Sequence, residues 1–459
     1  MKKILKDKKF FITILTLVIP ITLQNLISSS LNMVDNLMIG KLGENAIAAV
    51  GLVNQYFFVF MLCLSGINAG AGIFMSQFWG KKDVSNIRKM IGLDIILSMA
   101  ASLVFFLLGF IFPETIMKVF TKDTVVINLG IRYLEIISVT FIFTSITQGY
   151  STALRCIGVA NAPMFASLIG VLTNAFLNWI LIFGHFGFPA MGVAGAAIAT
   201  SIARLVEMIY VVIYAYKSNE VIPGKLKEMI GFNAEFVKVY FKTSASVIIN
   251  ELVWALGLTV YSIIYAKIGI REVASMQIAT TINNMFMVLC IGIATAASIM
   301  IGNKIGAGEE DLAVDYAIKL GILAPIVGLI SGIALWIASP SIVGVFKINK
   351  DTLEITITVL RIMAIFAPLR FFNVLMIVGV FRGGGDTTYS MLVQLGTVWF
   401  FAIPAGYIAA VYLKMPLDKV FLIICLEEVV KIVFEAKRLH SKKWIKNIVK
   451  NLDSINMAA

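Results

Sequence analysis

Apolar runs long enough to cross a bilayer recur from one end of this chain to the other. A helix rises about 1.5 Å per residue, so about 20 apolar residues cross the roughly 30 Å of hydrocarbon. The runs are continuous and lack the alternation of a transmembrane barrel. The sequence therefore predicts an all-α polytopic membrane protein with about twelve transmembrane helices. The runs lie near residues 10–38, 45–76, 90–112, 126–152, 162–185, 190–216, 236–267, 271–302, 312–338, 355–381, 388–412 and 416–437.

The composition supports the same class of protein. Of the 459 residues, 59% are hydrophobic and 14% are charged. A soluble domain of this composition would expose large apolar patches to water. The first run is too long for a cleavable signal and lacks a small-residue cleavage site, so we expect it to stay as a transmembrane helix.

The positive charges indicate how the chain is oriented. The formal net charge is +12, and the basic residues lie at both ends and in alternate loops. Cytoplasmic loops carry the excess of Lys and Arg, so an even helix number places both termini in the cytoplasm. We expect a multi-pass protein of the bacterial cytoplasmic membrane, and no nucleic acid as a partner. The basic groups fall within 2–9, 81–89, 217–242 and 437–450.

The residue types that carry most catalysis and metal binding are scarce. The only histidines are His185 and His440, and the four cysteines stand singly. A zinc centre or a Ser-His-Asp triad would lack its parts, and Walker, HExxH and GxSxG motifs are missing. We therefore expect a transporter and not an enzyme, without a cofactor.

The two halves of the chain resemble each other. A shift of 226 residues aligns Gly43 with Gly269. The same shift aligns Gly80 with Gly306, and a shift of 227 brings Arg155 onto Arg382. One nearly constant offset over so long a span indicates a duplication. An even number of helices per half makes the repeats parallel about an axis along the membrane normal.

The duplication predicts two pseudo-symmetric lobes of six helices each. The basic segment between the halves contains Pro and Gly, which is typical of a linker. The predicted domains are an N-lobe at 1–216, a cytoplasmic linker at 217–233, a C-lobe at 234–440 and a basic cytoplasmic tail at 441–459.

A single acid, Asp35, lies in the otherwise uncharged first run. An ionised carboxylate in hydrocarbon costs about 2.5–3.5 kcal/mol, so such an acid usually faces a cavity, an ion or a partner. Ser28 and Asn32, seven and three residues earlier, would share its helical face. The alternative is an acid near the helix end whose carboxylate reaches the headgroups.

Three polar residues of later runs are candidate partners for Asp35. Asn174 and Asn178 lie one turn apart in the fifth run, and Thr200 lies in the sixth. Together with Asp35 they could supply oxygen ligands to Na⁺, or Asp35 could take up a proton alone. The alternative is that the asparagines only join helices through hydrogen bonds.

The second half carries a different set of polar residues. Glu251 lies in the seventh run, and its predicted counter-charge is Arg370 in the tenth, near the helix-kinking Pro368. Asn373 completes this predicted C-lobe polar site, which could also be purely structural. Five further residues are predicted to line a cavity or to bridge helices: Gln24, Gln148, Gln277, Asn283 and Asn284.

Several motifs of this chain resemble the multidrug and toxic compound extrusion (MATE) family, in its NorM-like and DinF-like bacterial branches. The resemblance rests on Pro20, Gln24 and Asp35 with the following IGKLGENAIAAVG, on SQFWG at 76–80, LRCIGVANAPM at 154–164, the segment 174–204 and VFRGGGDTTYS at 380–390. It implies twelve helices in two lobes facing each other in a V, and cation-coupled export of organic cations by alternating access. It also implies that Asp35, with Asn174, Asn178 and Thr200, forms an N-lobe cation site, and that Glu251 is the acid of a C-lobe site.

The chain departs from the family pattern at two positions. DinF-like members carry an aspartate where this chain has Asn178, and NorM-like members carry one where it has Phe371, beside Arg370. The resemblance therefore favours Asp35 as the coupling group. Because a missing carboxylate weakens the attraction for a metal cation more than it affects one protonation, we favour H⁺ over Na⁺ as the coupling ion.

The expected partners follow from this interpretation. They are organic cations as substrates and membrane lipids as surroundings, and we expect a monomer. An alternative within transport is a flippase for lipid-linked oligosaccharides, which would need a strongly basic cavity. An ion channel or a membrane-embedded enzyme is the alternative of another class.

Overall fold

The computed structural model describes residues 7–218, 221–346 and 348–450. These residues form helices and connecting turns. The helices are α1 (Lys8–Gly40), α2 (Glu44–Lys81), α3 (Val84–Ile111), α4 (Pro113–Phe120), α5 (Thr124–Ile137), α6 (Thr140–Cys156), α7 (Asn161–Phe183), α8 (Gly192–Lys217), α9 (Leu226–Met229), α10 (Ala234–Ile268), α11 (Ile270–Gly306), α12 (Glu310–Val343), α13 (Lys350–Phe381), α14 (Thr387–Tyr412), α15 (Leu417–Cys425) and α16 (Glu427–His440).

The predicted all-α membrane fold is confirmed. Among the described residues, ten helices are long and apolar enough to span a membrane, and α5 with α6 makes an eleventh span bent by 47°. Next to the bend, side-chain hydroxyl groups donate hydrogen bonds to backbone carbonyl oxygens. Ser138 Oγ donates to Leu134 O at 2.6 Å. Thr140 Oγ1 likewise donates to Ile137 O at 2.6 Å. Such bonds are what allow a helix to break inside an apolar medium.

The twelfth predicted run differs from the others. Residues 416–437 form α15 and α16, which are not among the spans identified by length and hydropathy in the described chain. The run is divided after Cys425 into helices of 9 and 14 residues, each shorter than a membrane span. Helix α16 also buries four ionisable side chains. They are Glu427, Glu428, Lys431 and Glu435.

Helices α12 and α13 pack unusually close together. A Cβ added at Gly332 would lie 2.4 Å from the carbonyl oxygen of Ala364. A Cβ at Gly328 would lie 2.9 Å from the carbonyl oxygen of Ala367. Small residues allow helix backbones to approach in this way, and in lipid such packing replaces the hydrophobic driving force. Beyond this contact α13 continues as a π-helical stretch, Leu375–Phe381.

Packing divides the chain into two compact units. The N-terminal unit comprises Leu23–Trp79 and Asp83–Tyr240, and the C-terminal unit comprises Met1–Thr22, Gly80–Lys82 and Phe241–Ala459. In the N-terminal unit, residues of α1, α2, α4, α5, α7 and α8 form one core. A smaller cluster joins α2 to α6, with the rings of Phe60 and Phe141 at 4.8 Å between centroids. In the C-terminal unit, residues of α10–α15 form one large core.

The beginning of α1 packs within the C-terminal unit. The ring of Phe10 lies 5.1 Å from that of Tyr316 on α12. The Asp7 carboxylate, just before α1, accepts a hydrogen bond from Lys319 Nζ at 2.6 Å. The predicted lobes, 1–216 and 234–440, stay a prediction, and the packing units differ from them at this first segment because of these contacts.

Candidate functional site

A chain of hydrogen bonds joins the four residues of the predicted N-lobe site. Asn178 Nδ2 on α7 donates to Asp35 Oδ1 on α1 at 2.5 Å and to Asn174 Oδ1 at 2.9 Å. Asn174 Nδ2 in turn donates to Thr200 Oγ1 on α8 at 3.0 Å. Helical periodicity explains the bond between Asn178 and Asn174, because residues four apart lie on one face of a helix. The structure thus brings together all four residues across three helices of the N-terminal unit.

The four-residue chain, here called the Asp35 cluster, is largely buried. The side chains of Asn174 and Asn178 have no exposed surface, and Thr200 is 9% exposed. The oxygen Oδ1 of Asn178 has no hydrogen-bond partner among the described residues. A buried amide oxygen without a partner is costly. The cluster therefore holds an acceptor that a proton donor or a cation could still satisfy.

A second polar group lies on the same helices. Ser167 Oγ on α7 donates to Glu207 Oε1 on α8 at 2.9 Å, and Glu207 Oε2 pairs with Arg204 Nη1 at 2.8 Å. Gln24 Nε2 on α1 donates to Ser167 Oγ at 3.3 Å. Arg155 Nη1 donates to the oxygen of Gln24 at 3.3 Å. Gln24 therefore bridges helices within the N-terminal unit.

A small cavity separates the second group from the Asp35 cluster. Its volume is about 10 Å³, roughly the room of one water molecule. Thr200 belongs to the Asp35 cluster and also lines this cavity, so the two polar groups border the same space. The lining residues are Ser28, Ser167, Gly170, Val171, Thr200, Ala203, Arg204 and Glu207.

The predicted pairing of Glu251 with Arg370 is wrong. Glu251 Oε1 on α10 pairs with Arg382 Nη2 at 2.8 Å, and Arg382 is 6% exposed. The two arginines are twelve residues apart along the chain, which in a helix is about 18 Å. One acid cannot reach both, and Glu251 lies at the level where α13 ends.

Arg370 and Asn373 instead contact α16. Arg370 Nε donates to Glu428 Oε1 at 3.1 Å. Asn373 Nδ2 donates to Glu428 Oε2 at 2.7 Å and to the carbonyl oxygen of Glu428 at 2.8 Å. The predicted C-lobe polar site therefore separates into two: the pair Glu251–Arg382, and a cluster built around Glu428.

The ionisable residues of α16 are not among the site residues predicted from the sequence. Lys431 Nζ lies 3.2 Å from Glu427 Oε1 and 3.8 Å from Glu428 Oε2. The hydroxyl of Tyr261 on α10 donates to Glu427 Oε2 at 3.2 Å. A signal was present, because the spacing of Glu427, Glu428 and Lys431 places opposite charges three and four residues apart on one helical face. The apolar length of residues 416–437 conceals this pattern, because it is typical of a plain membrane span.

The remaining candidates are dispersed. Gln148 on α6 is half-buried, and Asn283 on α11 is 8% exposed. Gln277 and Asn284 on α11 are exposed. In the described part of the chain, none of these four side chains is hydrogen-bonded to the Asp35 cluster or to Glu428.

These features define the class of protein. A polytopic helical membrane protein that keeps hydrogen-bonded ionisable groups inside its helical units has the organisation of a membrane transporter, since such groups mark ion and substrate pathways. The family model MatE matches residues 20–180 and 246–408, and the chain belongs to this family. The two matches begin 226 residues apart, which is the offset of the internal repeat.

Individual relatives cover nearly the whole chain. The chain is 24% identical over 443 residues to "Uncharacterized transporter YisQ" of Bacillus subtilis, with 96% of each chain covered. It is 22% identical to "Probable multidrug resistance protein NorM" of Thermotoga maritima, over 95% of this chain and 93% of the relative. The solved structure "Crystal structure of MATE in complex with MaL6" matches with a TM-score of 0.83 at 20% identity, over 94% of this chain and 96% of that one. This structural likeness establishes the fold, and the resemblance to the MATE family is confirmed.

Proposed function

We propose that this MatE protein is a secondary antiporter that exports organic, mostly cationic compounds in exchange for protons. The observation that carries the proposal is the hydrogen-bonded Asp35 cluster inside the N-terminal unit. A carboxylate in an apolar helix is costly and is usually kept for an ion or a proton. The name of the Thermotoga maritima relative, a probable multidrug resistance protein, supports drug-like substrates.

The coupling in this proposal comes from competition for one negative charge. An ionised Asp35 holds the Asn178 amide by a charge-assisted hydrogen bond and attracts a substrate cation. A proton on Asp35 removes the charge, weakens that bond between α1 and α7, and lowers the affinity for a cation. Since proton and substrate each reduce the affinity for the other, binding of one promotes release of the other.

The orientation of Asn178 supports H⁺ over Na⁺ as the coupling ion. Its Nδ2 faces Asp35, so amide hydrogens occupy the side from which a metal ion would approach. Binding of Na⁺ by the carboxylate and the amide oxygen would require this amide to turn and to give up its bond to Asp35. A proton needs only the carboxylate. Na⁺ bound by Asp35, Asn174, Asn178 and Thr200 is thus the alternative that the experiment has to separate.

The same proposal places the protein in the bacterial cytoplasmic membrane as a monomer surrounded by lipid. Both termini would lie in the cytoplasm, because basic residues cluster at both ends of the chain. No cofactor takes part in this scheme, and the ion gradient supplies the free energy.

The test is export of a cationic dye from loaded proteoliposomes. The dye is followed under a pH gradient and, separately, under a Na⁺ gradient with an ionophore collapsing the pH gradient. We expect efflux with the pH gradient alone. Efflux that needs Na⁺ and persists without a pH gradient would replace H⁺ by Na⁺, and no efflux under either gradient would overturn the antiport.

Replacing the central acid sharpens this test. Asp35→Asn keeps the volume but has neither a charge nor a titratable proton, so we expect efflux to fall to that of protein-free liposomes. The matched control is Asp311→Asn, at an exposed position at the start of α12, which should transport as the unaltered protein does. Gradient-driven efflux retained in Asp35→Asn would contradict the assignment of Asp35.

A further inference from the structure

Helix α16 carries a largely buried network of charges in the C-terminal unit. The network, here called the α16 network, contains two cations and two acids in contact. They are Arg370, Lys431, Glu427 and Glu428. With Glu428 bonded to Arg370 and Glu427 bonded to Lys431, the positive and negative charges balance. Every one of these groups is satisfied by a partner of opposite charge.

Glu435 is a third acid on the same helix, and it has no such partner. Its side chain has no exposed surface, and neither carboxylate oxygen has a hydrogen-bond partner among the described residues. An ionised carboxylate buried without a partner costs far more than a neutral one. In this arrangement Glu435 therefore holds a proton.

The surroundings of Glu435 contain one group that could stabilise its ionised form. Lys431 lies four residues earlier on α16, the spacing at which a Glu and a Lys of one helix face each other. Arg370 on α13 is bonded to Glu428, and Tyr389 on α14 donates its hydroxyl to the carbonyl oxygen of Phe434 at 3.0 Å.

The other titratable groups near the network include neutral hydroxyl and thiol groups and one ion pair. Tyr261 on α10 donates to Glu427, and Cys425 at the end of α15 is buried. Arg438, one turn beyond Glu435, pairs with Asp386 at 2.6 Å and lies 4.4 Å from the ring centroid of Tyr389. Its side chain is 20% exposed, so Glu435 lies one helical turn from a residue that reaches the surface of the chain.

We propose that Glu435 is a second proton-exchanging site of this protein, and that the α16 network supplies the counter-charge for its ionised form. In the exchange, the O–H bond of Glu435 breaks and its proton passes to water. The ammonium group of Lys431 then turns from Glu427 towards the new carboxylate. Glu428 keeps Arg370, and Glu427 keeps the hydroxyl of Tyr261. The network goes from neutral to one negative charge.

The exchanged species is a proton and not a metal ion. Among the described residues, no group of three or more His, Cys, Asp or Glu side chains is placed to hold a metal ion, whereas one carboxyl group is enough to bind and release a proton. The inference extends the proposed function by giving the C-terminal unit its own share of proton coupling. The binding of the proton itself can be measured without transport.

The test is infrared difference spectroscopy of the full-length protein in lipid bilayers, recorded as the pH is raised. A protonated carboxyl group that ionises loses its C=O stretching band. We expect the spectrum of Glu435→Gln to lack one pH-dependent carboxyl C=O band. The matched control is Glu354→Gln, at an exposed position on α13, which should leave the buried carboxyl bands unchanged.

Two outcomes overturn the proposal. One is an unchanged set of pH-dependent bands in Glu435→Gln. The other is a Glu435 band that never responds to pH, which would make it a permanently neutral structural acid. Should Glu435→Gln fail to fold, Glu435→Asp keeps the carboxyl group, and the proposal then requires the band to shift in frequency and still respond to pH.

The same measurement separates this proposal from the proposed function. In Asp35→Asn the Glu435 band should remain. If the unaltered protein shows no proton-driven efflux while its Glu435 band still titrates, only the proposed antiport is overturned. Normal efflux with no titrating Glu435 band would overturn the second site alone.

Discussion

At the scale of single residues, Asn178 decides how the Asp35 cluster is organised. Its one amide nitrogen donates to two acceptors, Asp35 Oδ1 and Asn174 Oδ1, and so connects α1 with α7. An aspartate at this position could not donate and would place a second negative charge beside Asp35. The amide thus keeps a single carboxylate at the centre of the cluster, which is the simplest arrangement for exchanging one proton.

The pair Glu251–Arg382 gives a prediction at the same scale. Glu251→Gln leaves the buried guanidinium of Arg382 without its counter-charge, which we expect to destabilise the protein by about 3–5 kcal/mol. Adding Arg382→Gln should restore part of this loss, because contacting residues are energetically coupled. The measurement is a double-mutant cycle of unfolding free energies in detergent.

The control for this cycle is Arg370→Leu, since Arg370 contacts Glu428 and not Glu251. We expect the losses from Glu251→Gln and Arg370→Leu to add, because the two sites share no partner. Coupling of Glu251 to Arg370 instead of Arg382 would contradict the pairing.

At the scale of elements, the close contact of α12 and α13 depends on glycine. Helix α13 carries Arg370 and Asn373 towards α16 and ends next to Arg382, so its position sets both polar sites of the C-terminal unit. A helix held by backbone proximity tolerates little change of volume. The packing of α12 against α13 is therefore part of what positions these side chains.

Gly332→Ala tests this contact. The added methyl group would lie 2.4 Å from the carbonyl oxygen of Ala364, and the helices must move apart. We expect a loss of about 1–3 kcal/mol in unfolding free energy, as for overpacking elsewhere. The matched control is Gly396→Ala on α14, where nothing lies within 4 Å. A Gly332→Ala protein as stable as the control would show that the two helices adapt without cost.

At the scale of the whole molecule, the chain is a duplication whose two halves use different polar residues. The family model matches both halves, yet the Asp35 cluster consists of one acid with amides and a hydroxyl, whereas the α16 network consists of paired charges. Equivalent folds therefore carry different ionisable groups.

The anchoring of the first segment gives a prediction at this scale. The hydrogen bond from Lys319 lowers the pKa of the Asp7 carboxyl group, which lies just before α1. A carboxyl group whose pKa is lowered in the folded state stabilises the fold at pH values above the ordinary pKa of aspartate. This contribution is lost as the pH falls through the lowered pKa of the folded state. The anchor should thus persist at neutral pH and weaken only under strongly acidic conditions.

The measurement is hydrogen–deuterium exchange of the first turns of α1. At neutral pH we expect Asp7→Asn to exchange faster there than the unaltered protein, and the difference to shrink in strong acid. Asp123→Asn, which caps α5 instead, should leave exchange at the start of α1 unchanged. Equal exchange of Asp7→Asn and the unaltered protein at neutral pH would show that the ion pair contributes nothing to the anchor.

The helical membrane fold, the repeat and the composition of the Asp35 cluster could be predicted from the amino-acid sequence alone. Bilayer thickness and helical rise fix the length of a spanning run, so the runs could be read directly. Asn174 and Asn178 are four residues apart, and the helical period places them on one face without further information. An isolated acid in an apolar run is rare enough to attract attention to Asp35.

The pairing of the charged residues could not be predicted from the sequence, because it depends on how the helices pack. The sequence paired Glu251 with Arg370, but Glu251 contacts Arg382, and Arg370 contacts Glu428. Helical periodicity states which residues of one helix share a face. It does not state how far a neighbouring helix is shifted along its axis or how it is rotated. Those two quantities are set by side-chain packing, such as that of α12 on α13, and they select the partner of each buried charge.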